Sequence, residues 1–242
     1  MAETKAVIFD FIGTLVNLRG YSLEKAEDRL FRSLLESGLN LHRERFFVAY
    51  NKAYRRHREI RYQQLIEVTN AVWISEALNQ LGFQVAPDDV KIKTAVNHFF
   101  ENYLAALALR SSARQVLVTL HQRYKLGLVS NFTYFPVIYA ALRKLEIGSF
   151  FDAVVVSDAE GWRKPSSRPF RKVLSVLSIE PGEAFFVGDT FLEDIHGAKE
   201  AGMKAIFISS PFTVQHDDGK SLQQPDYVIG DLKDIREILD TQ

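Results

Sequence analysis

The sequence predicts a parallel α/β sheet with helices on both faces, interrupted early by an all-α insertion. Three observations predict it. Short, almost wholly apolar runs recur at strand length, as strands buried on both faces require. Helical stripes alternate with the later runs, which is the rhythm of βαβ units. After the first run, no second run of that kind follows for about a hundred residues, and helical stripes fill the gap.

The strand-like runs are AVIFDF (6–11), LGLVS (126–130), AVVVS (153–157), AFFVGD (184–189), AIFIS (205–209) and DYVI (226–229). Between them, Val137, Ala140, Ala141, Leu142 and Leu145 make one helical stripe, and Phe170, Val173, Leu174 and Leu177 a second. Leu232, Ile235, Ile238 and Leu239 make a third after the last run. Inside the gap, Leu23, Ala26, Leu30, Phe31, Leu34 and Leu35 form a stripe that Gly38 stops. Phe46, Phe47, Tyr50 and Tyr54 begin another. Val72, Trp73, Ala77, Leu78 and Leu81 form the next, stopped by Gly82, and Pro87 opens a last one running to Leu107. Four consecutive amphipathic helices suffice for a small bundle. The domain reading is therefore an α/β core from residues 1–18 and 105–242 and a helical domain from 19–104. The polar stretch PFTVQHDDGKSLQQP (211–225) reads as a surface loop.

Composition narrows the function classes. The 242 residues are 47% hydrophobic and 25% charged, an ordinary globular mixture. Thirty basic and thirty acidic residues cancel, which removes the bulk electrostatic case for nucleic-acid binding. The absence of cysteine excludes disulfides, thiolate nucleophiles, zinc ribbons and iron–sulfur clusters. No apolar run approaches the length of a membrane span, and MAETKAV lacks the pattern of a signal peptide. The expectation is a cytoplasmic monomer or homodimer acting on a small molecule, with neither nucleic acid nor membrane as partner.

In open parallel sheets, ligands bind beyond the carboxyl ends of the strands. Asp10 closes the first run, followed by Gly13 and Thr14. Ser130 and Asn131 close the second. Asp189 follows the AFFVG run, with Asp194 five residues on, and Lys164 lies in the loop after AVVVS. Each alone has an ordinary reading, as a helix cap, a turn hydroxyl or a surface charge. Together on one sheet edge they suit phosphoryl transfer. A carboxylate attacks phosphorus, a hard cation offsets the charge, and a hydroxyl, turn N–H groups and an ammonium hold the phosphoryl oxygens.

These residues stand in stretches that resemble the haloacid dehalogenase superfamily. VIFDFIGTL (7–15) is similar to its first motif, LVSN (128–131) to its second and Lys164-Pro165 to its third. VGDTFLEDIHGAKEAGM (187–203) is similar to its fourth, and PDYVIGDL (225–232) to its usual end. The resemblance spans the chain, since the insertion falls where one subclass carries a helical cap. It implies a doubly wound, Rossmann-like core, with Asp10 as nucleophile and Ser130, the Asn131 N–H and Lys164 binding the phosphoryl group. It also implies Mg2+ held by Asp10, the carbonyl of Ile12, Asp189 and Asp194, with Gly13 and Thr14 shaping the first loop.

The sequence departs from the phosphatase pattern at Ile12, where the family's phosphatases carry an acid/base aspartate. The carbonyl ligand survives that change, whereas proton delivery to the leaving group does not. The expectation is a weak or narrow phosphohydrolase that favours acyl or aryl phosphates. The alternatives are a metal-independent 2-haloacid dehalogenase and a non-catalytic binding or regulatory protein on the same scaffold. The dehalogenase branch uses a cap arginine, and RRHREIR (55–61) supplies arginines, although that run reads first as a solvated helix face. Within it, Arg55, Arg58 and Tyr62 are spaced to share a face. The phosphonatase branch uses a cap lysine, for which Lys25 and Lys52 are nominal candidates. SSRPF (166–170) departs from the aspartate usual after Lys-Pro, with only a local effect expected.

Overall fold

The computed structural model describes residues 3–210 and 222–241. It divides into two compact units, one from Met1–Asn17 with Ala108–Gln242, the other Leu18–Leu107. Of the polar stretch 211–225, residues 211–221 lie outside the described residues.

In chain order, β1 (Ala6–Phe9) and β2 (Val16–Leu18) precede α1 (Leu23–Glu36), α2 (Arg43–Gln64), α3 (Asn70–Gln80) and α4 (Val90–Ala106). Then come β3 (Leu107–Leu109), α5 (Ala113–His121), β4 (Lys125–Ser130), α6 (Phe135–Lys144) and β5 (Ala153–Val156). The short α7 (Ser157–Glu160) and α8 (Ser167–Leu177) lead to β6 (Ala184–Gly188). A π-helical turn at Phe191–His196 runs into α9 (Gly197–Glu200), followed by β7 (Lys204–Ile208), β8 (Tyr227–Ile229) and α10 (Ile235–Asp240).

Six strands form one sheet in the order β5-β4-β1-β6-β7-β8, every neighbouring pair parallel. The α/β parallel sheet expected from the sequence is therefore borne out. The reason is visible in β1, whose Ala6, Val7, Ile8 and Phe9 are all buried, so both faces need cover. From β1 the chain winds outward through β4 and β5, then returns to the other side of β1 for β6, β7 and β8. That reversal makes β1 the switch point of the sheet, where a crevice opens beyond the strand ends. Phe9 lies in register with Leu128 of β4 and Val187 of β6. The residues just past these three ends are thus brought side by side.

One face of the sheet presents Ile8, Val129, Val155 and Phe186 to Phe170, Val173, Leu174 and Leu177, the stripe of α8. Phe170 meets Phe186 edge-on, ring centroids 5.0 Å apart, in the arrangement aromatic quadrupoles prefer. Ser166 caps α8 by accepting from the Arg168 N–H, so the serine in place of the family's aspartate does a capping job there. Beyond the stripes expected from the sequence, α5 buries Ala113, Val116, Leu117 and Leu120 at helical spacing.

The second unit packs α1 against α4 and α2 against α3. Gly38 and Gly82 lie just past α1 and α3, as expected. Pro87 does not open α4. Asp89 caps it instead, its carboxylate accepting from the Lys91 N–H at 2.8 Å, and Leu107 already belongs to β3. RRHREIR is not one solvated face. His57 and Arg61 are buried, His57 against Glu76 at 2.7 Å and Arg61 against Glu67 at 2.5 Å, while Arg55, Arg56 and Arg58 are exposed. A helix in a bundle buries whatever its sequence puts on the inner face, and here that includes two basic residues with acidic partners. Arg58 lies over the Tyr62 ring at 4.7 Å, so these two do share a face. Among the described residues, no helix is long and apolar enough to cross a membrane.

Phe170→Ala removes a wholly buried ring from the centre of the core and is expected to lower the unfolding free energy by about 3–5 kcal/mol. Urea unfolding followed by circular dichroism checks this.

Candidate active site

Asp10 sits one residue past β1, its N–H donating to the Val187 carbonyl at 2.9 Å, which ties the first loop to β6. The loop then folds back tightly. The Gly13 N–H donates to Val16 O at 2.7 Å, and the Leu15 and Val16 N–H groups both donate to Phe11 O at 3.0 Å. Arg110 braces the turn from outside, donating to Gly13 O at 2.8 Å. Gly13 has φ +94°, and a Cβ there would lie 2.2 Å from Asp189 Oδ2. Glycine is required twice over at this position, by the backbone conformation and by the neighbouring carboxylate.

Asp189 directly follows β6, and Asp194 lies in the π-helical turn beyond it. Asp194 Oδ2 accepts from the Asp189 N–H at 3.1 Å, the Thr190 N–H at 2.9 Å and the Thr190 hydroxyl at 2.7 Å. One oxygen thus closes its own turn, while Oδ1 receives the Lys164 ammonium at 2.6 Å. The same ammonium donates to Asp10 Oδ1 at 2.7 Å and to Val129 O at 3.0 Å. Asp189 Oδ2 accepts from the Ser210 hydroxyl.

Each carboxylate of Asp10, Asp189 and Asp194 offers an oxygen within 4.8 Å of the others, and all three residues are buried. Burial pushes the Asp10 carboxyl up to about 8, against the pull of Lys164, with the Asp194 and Asp189 charges pushing the same way as burial. Asp189 is pushed up to about 6, first by burial and then by Asp194, while Ser210 pulls it down. Burial works against the charge of Lys164, but Asp10 and Asp194 together outweigh it and hold the ammonium above the usual lysine range.

Three carboxylates against one ammonium leave a formal charge of minus two when all are ionised. An all-oxygen donor set with that charge fits a hard divalent cation such as Mg2+. The cluster's own chemistry thus fits the metal that the sequence implies.

Ser130 is buried at the end of β4, next to the carbonyl that receives the ammonium. Asn131 bonds Lys164 at both backbone groups, its Nδ2 donating to Lys164 O at 3.0 Å and its Oδ1 accepting from the Lys164 N–H at 2.8 Å. Thr14 is wholly buried, its hydroxyl without a hydrogen-bond partner among the described residues. Ile12 is half-buried in the first loop, opposite Val16. The structure therefore joins Asp10, Lys164 and Asp194 directly, sets Asp189 beside them, and attaches Asn131 through the backbone. The sequence reading missed Arg163, Glu193, Arg110 and Ser210. The only signal available for the first two was adjacency to Lys164 and Asp194.

The fold and the site together define a class of α/β protein with a buried cluster of three carboxylates and one ammonium beyond the strand ends at the switch point of its sheet. Comparison with known proteins places it within that class. The haloacid dehalogenase-like hydrolase profile matches residues 4–202, and the chain belongs to this family. Over 249 residues it is 31% identical to a glyceraldehyde 3-phosphate phosphatase of Methanothermobacter thermautotrophicus, covering 97% of this chain and 99% of that one. A protein of the same description from Pyrococcus furiosus is 33% identical over 132 residues, a match that spans 54% of each chain. Among solved structures, a 2-haloacid dehalogenase from Pseudomonas syringae pv. Tomato DC3000 superposes with a TM-score of 0.71. It covers 98% of this chain and 99% of that one at 22% identity, a likeness of fold.

Lys164→Met removes the one cation shared by two buried carboxylates while keeping an unbranched side chain. It is expected to destabilise the protein by about 3–5 kcal/mol, read as a drop in the urea midpoint without added metal.

Proposed function

We propose that this protein is a magnesium-dependent phosphohydrolase acting on a small phosphorylated substrate through an aspartyl-phosphate on Asp10. The observation that carries the reading is the buried set of Asp10, Asp189 and Asp194 around the Lys164 ammonium. Phosphatases among the full-length relatives support it. In the first step, an Asp10 oxygen bonds to phosphorus as the bond to the leaving oxygen breaks, that oxygen taking the electron pair. In the second, water cleaves the acyl phosphate, releasing phosphate and restoring Asp10. Ser130, the Asn131 N–H and Lys164 hold the phosphoryl oxygens, and Thr14 shapes the loop that carries the nucleophile. Asp10, Asp189, Asp194 and the Ile12 carbonyl are the groups that would hold Mg2+, whose charge would offset repulsion between carboxylate and phosphoryl oxygens. Residues 19–104 are read as the cap and residues 1–18 with 105–242 as the core.

Ile12 sets the substrate preference. With no acid two residues past the nucleophile, an alkoxide leaves unassisted, while a carboxylate or aryloxide leaves readily. Acyl and aryl phosphates are therefore favoured. A second reading, a triose phosphate as substrate, is favoured by the full-length relative that carries that activity in its description.

A phosphate-release panel tests both readings, using acetyl phosphate, p-nitrophenyl phosphate and glyceraldehyde 3-phosphate with magnesium or EDTA. The expected result is magnesium-dependent turnover of the first two. Glyceraldehyde 3-phosphate is expected to turn over slowly, and faster by about 10²–10⁴-fold in Ile12→Asp. Good turnover of the triose phosphate by the unaltered protein overturns the leaving-group preference. Chloride release from a 2-haloacid in EDTA overturns the phosphohydrolase reading. Beryllofluoride is expected to form a magnesium-dependent adduct on Asp10.

A further inference from the structure

Lys164 is useful only if its ammonium stays between Asp10 and Asp194, yet a lysine side chain is a flexible stem with little intrinsic preference for one position. Its backbone must therefore be placed by something else. Asn131 holds both peptide groups of Lys164, accepting from its N–H at 2.8 Å and donating to its carbonyl at 3.0 Å. Such a clamp works in only one orientation of the amide, because a flip would set donor against donor and acceptor against acceptor.

The orientation is enforced from the far side. Glu193 Oε2 accepts the remaining Asn131 Nδ2 proton at 2.9 Å, so a flipped amide would place its oxygen against a carboxylate. Glu193 is in turn held by Arg163, whose Nη2 donates to Oε1 at 2.8 Å and whose side chain is only 4% exposed. Arg163 precedes Lys164, and Glu193 precedes Asp194. The two loops are thus laced twice at consecutive residues, once by Arg163–Glu193 and once by Lys164–Asp194.

We propose that the Arg163–Glu193 ion pair is a positioning device, which fixes the Asn131 amide and through it the Lys164 ammonium. Being neutral as a pair, it sets geometry without adding net charge beside the acidic cluster. Its consequence for turnover rests on the phosphohydrolase reading; the clamp itself does not.

The test compares the unaltered protein with Glu193→Ala and Glu193→Gln, a glutamine being able to accept from Asn131 through its carbonyl. Exchange of the Lys164 amide hydrogen, followed by NMR, reports the clamp. Steady-state kinetics on p-nitrophenyl phosphate with magnesium report the ammonium's position. Glu193→Ala is expected to exchange the Lys164 amide about tenfold faster, with β1 and β6 amides unchanged, and to lose about tenfold in kcat at an unchanged KM. Glu193→Gln is expected to fall between the two in both measures, and carries the comparison where the alanine variant does not fold. Unchanged exchange at Lys164 overturns the proposal, as does faster exchange with unchanged kcat. No turnover of any phosphate by the unaltered protein overturns the phosphohydrolase reading instead, and the exchange measurement then decides the clamp alone.

Discussion

The core is organised around one buried cation. Lysine is almost never fully buried unless paired, because removing an ammonium from water costs several kcal/mol. Lys164 is 1% exposed, and its Nζ is met by Asp10 Oδ1, Asp194 Oδ1 and the Val129 carbonyl. These partners come from the ends of β1 and β4 and from the turn after β6, while the lysine arrives from the connection between β5 and α8. Four consecutive strands of the sheet are therefore tied through a single charge. Removing any partner would leave part of that charge uncompensated, so the loops have little freedom to drift apart.

Crowding around that charge explains local features that otherwise look unrelated. A Cβ at Gly188 would fall 2.4 Å from the Asp194 side chain, as one at Gly13 would collide with Asp189. The carboxylates occupy the volume where the chain would ordinarily place side chains of its own. Asp194 also shows that capping and site roles are not alternatives for a strand-end aspartate. One of its oxygens closes the turn at Asp189 and Thr190, and the other meets the ammonium. The rigidity that the first use gives is what aims the second.

These relations also decide what could be read from the sequence. Ala6–Phe9 or Ala184–Gly188 can be recognised without a structure because full burial on two faces leaves an unbroken apolar run. Once the sheet is parallel, Asp10, Ser130 and Asp189 must lie near one another, since their positions follow strand ends. Asp194 and Lys164 were legible through their spacing and through motif resemblance. Arg163 and Glu193 were not, because an ion pair between two loops has no period and neither partner lies at a strand end. In the helical unit the apolar spacing marked the four helices, yet it mislocated the start of α4. It also gave no sign that His57 and Arg61 face inward, since their acidic partners Glu76 and Glu67 lie beyond α2.

Charge and geometry are handled by different residues at this sheet edge. The acidic cluster carries the imbalance: three carboxylates face one ammonium, and burial, with the neighbouring carboxylates adding to it, pushes Asp10 and Asp189 toward their neutral forms. An all-oxygen cluster with that imbalance fits a divalent cation, whose charge would favour the ionised form of Asp10. Arg163, Glu193 and Asn131 carry the geometry. Arg163 and Glu193 cancel in charge and Asn131 has none, so they can hold Lys164 in place without shifting the electrostatic balance they surround. Ile12 belongs to neither group, and that is its significance. It pairs with Val16 within the first loop and places an apolar, non-titrating side chain two residues past Asp10.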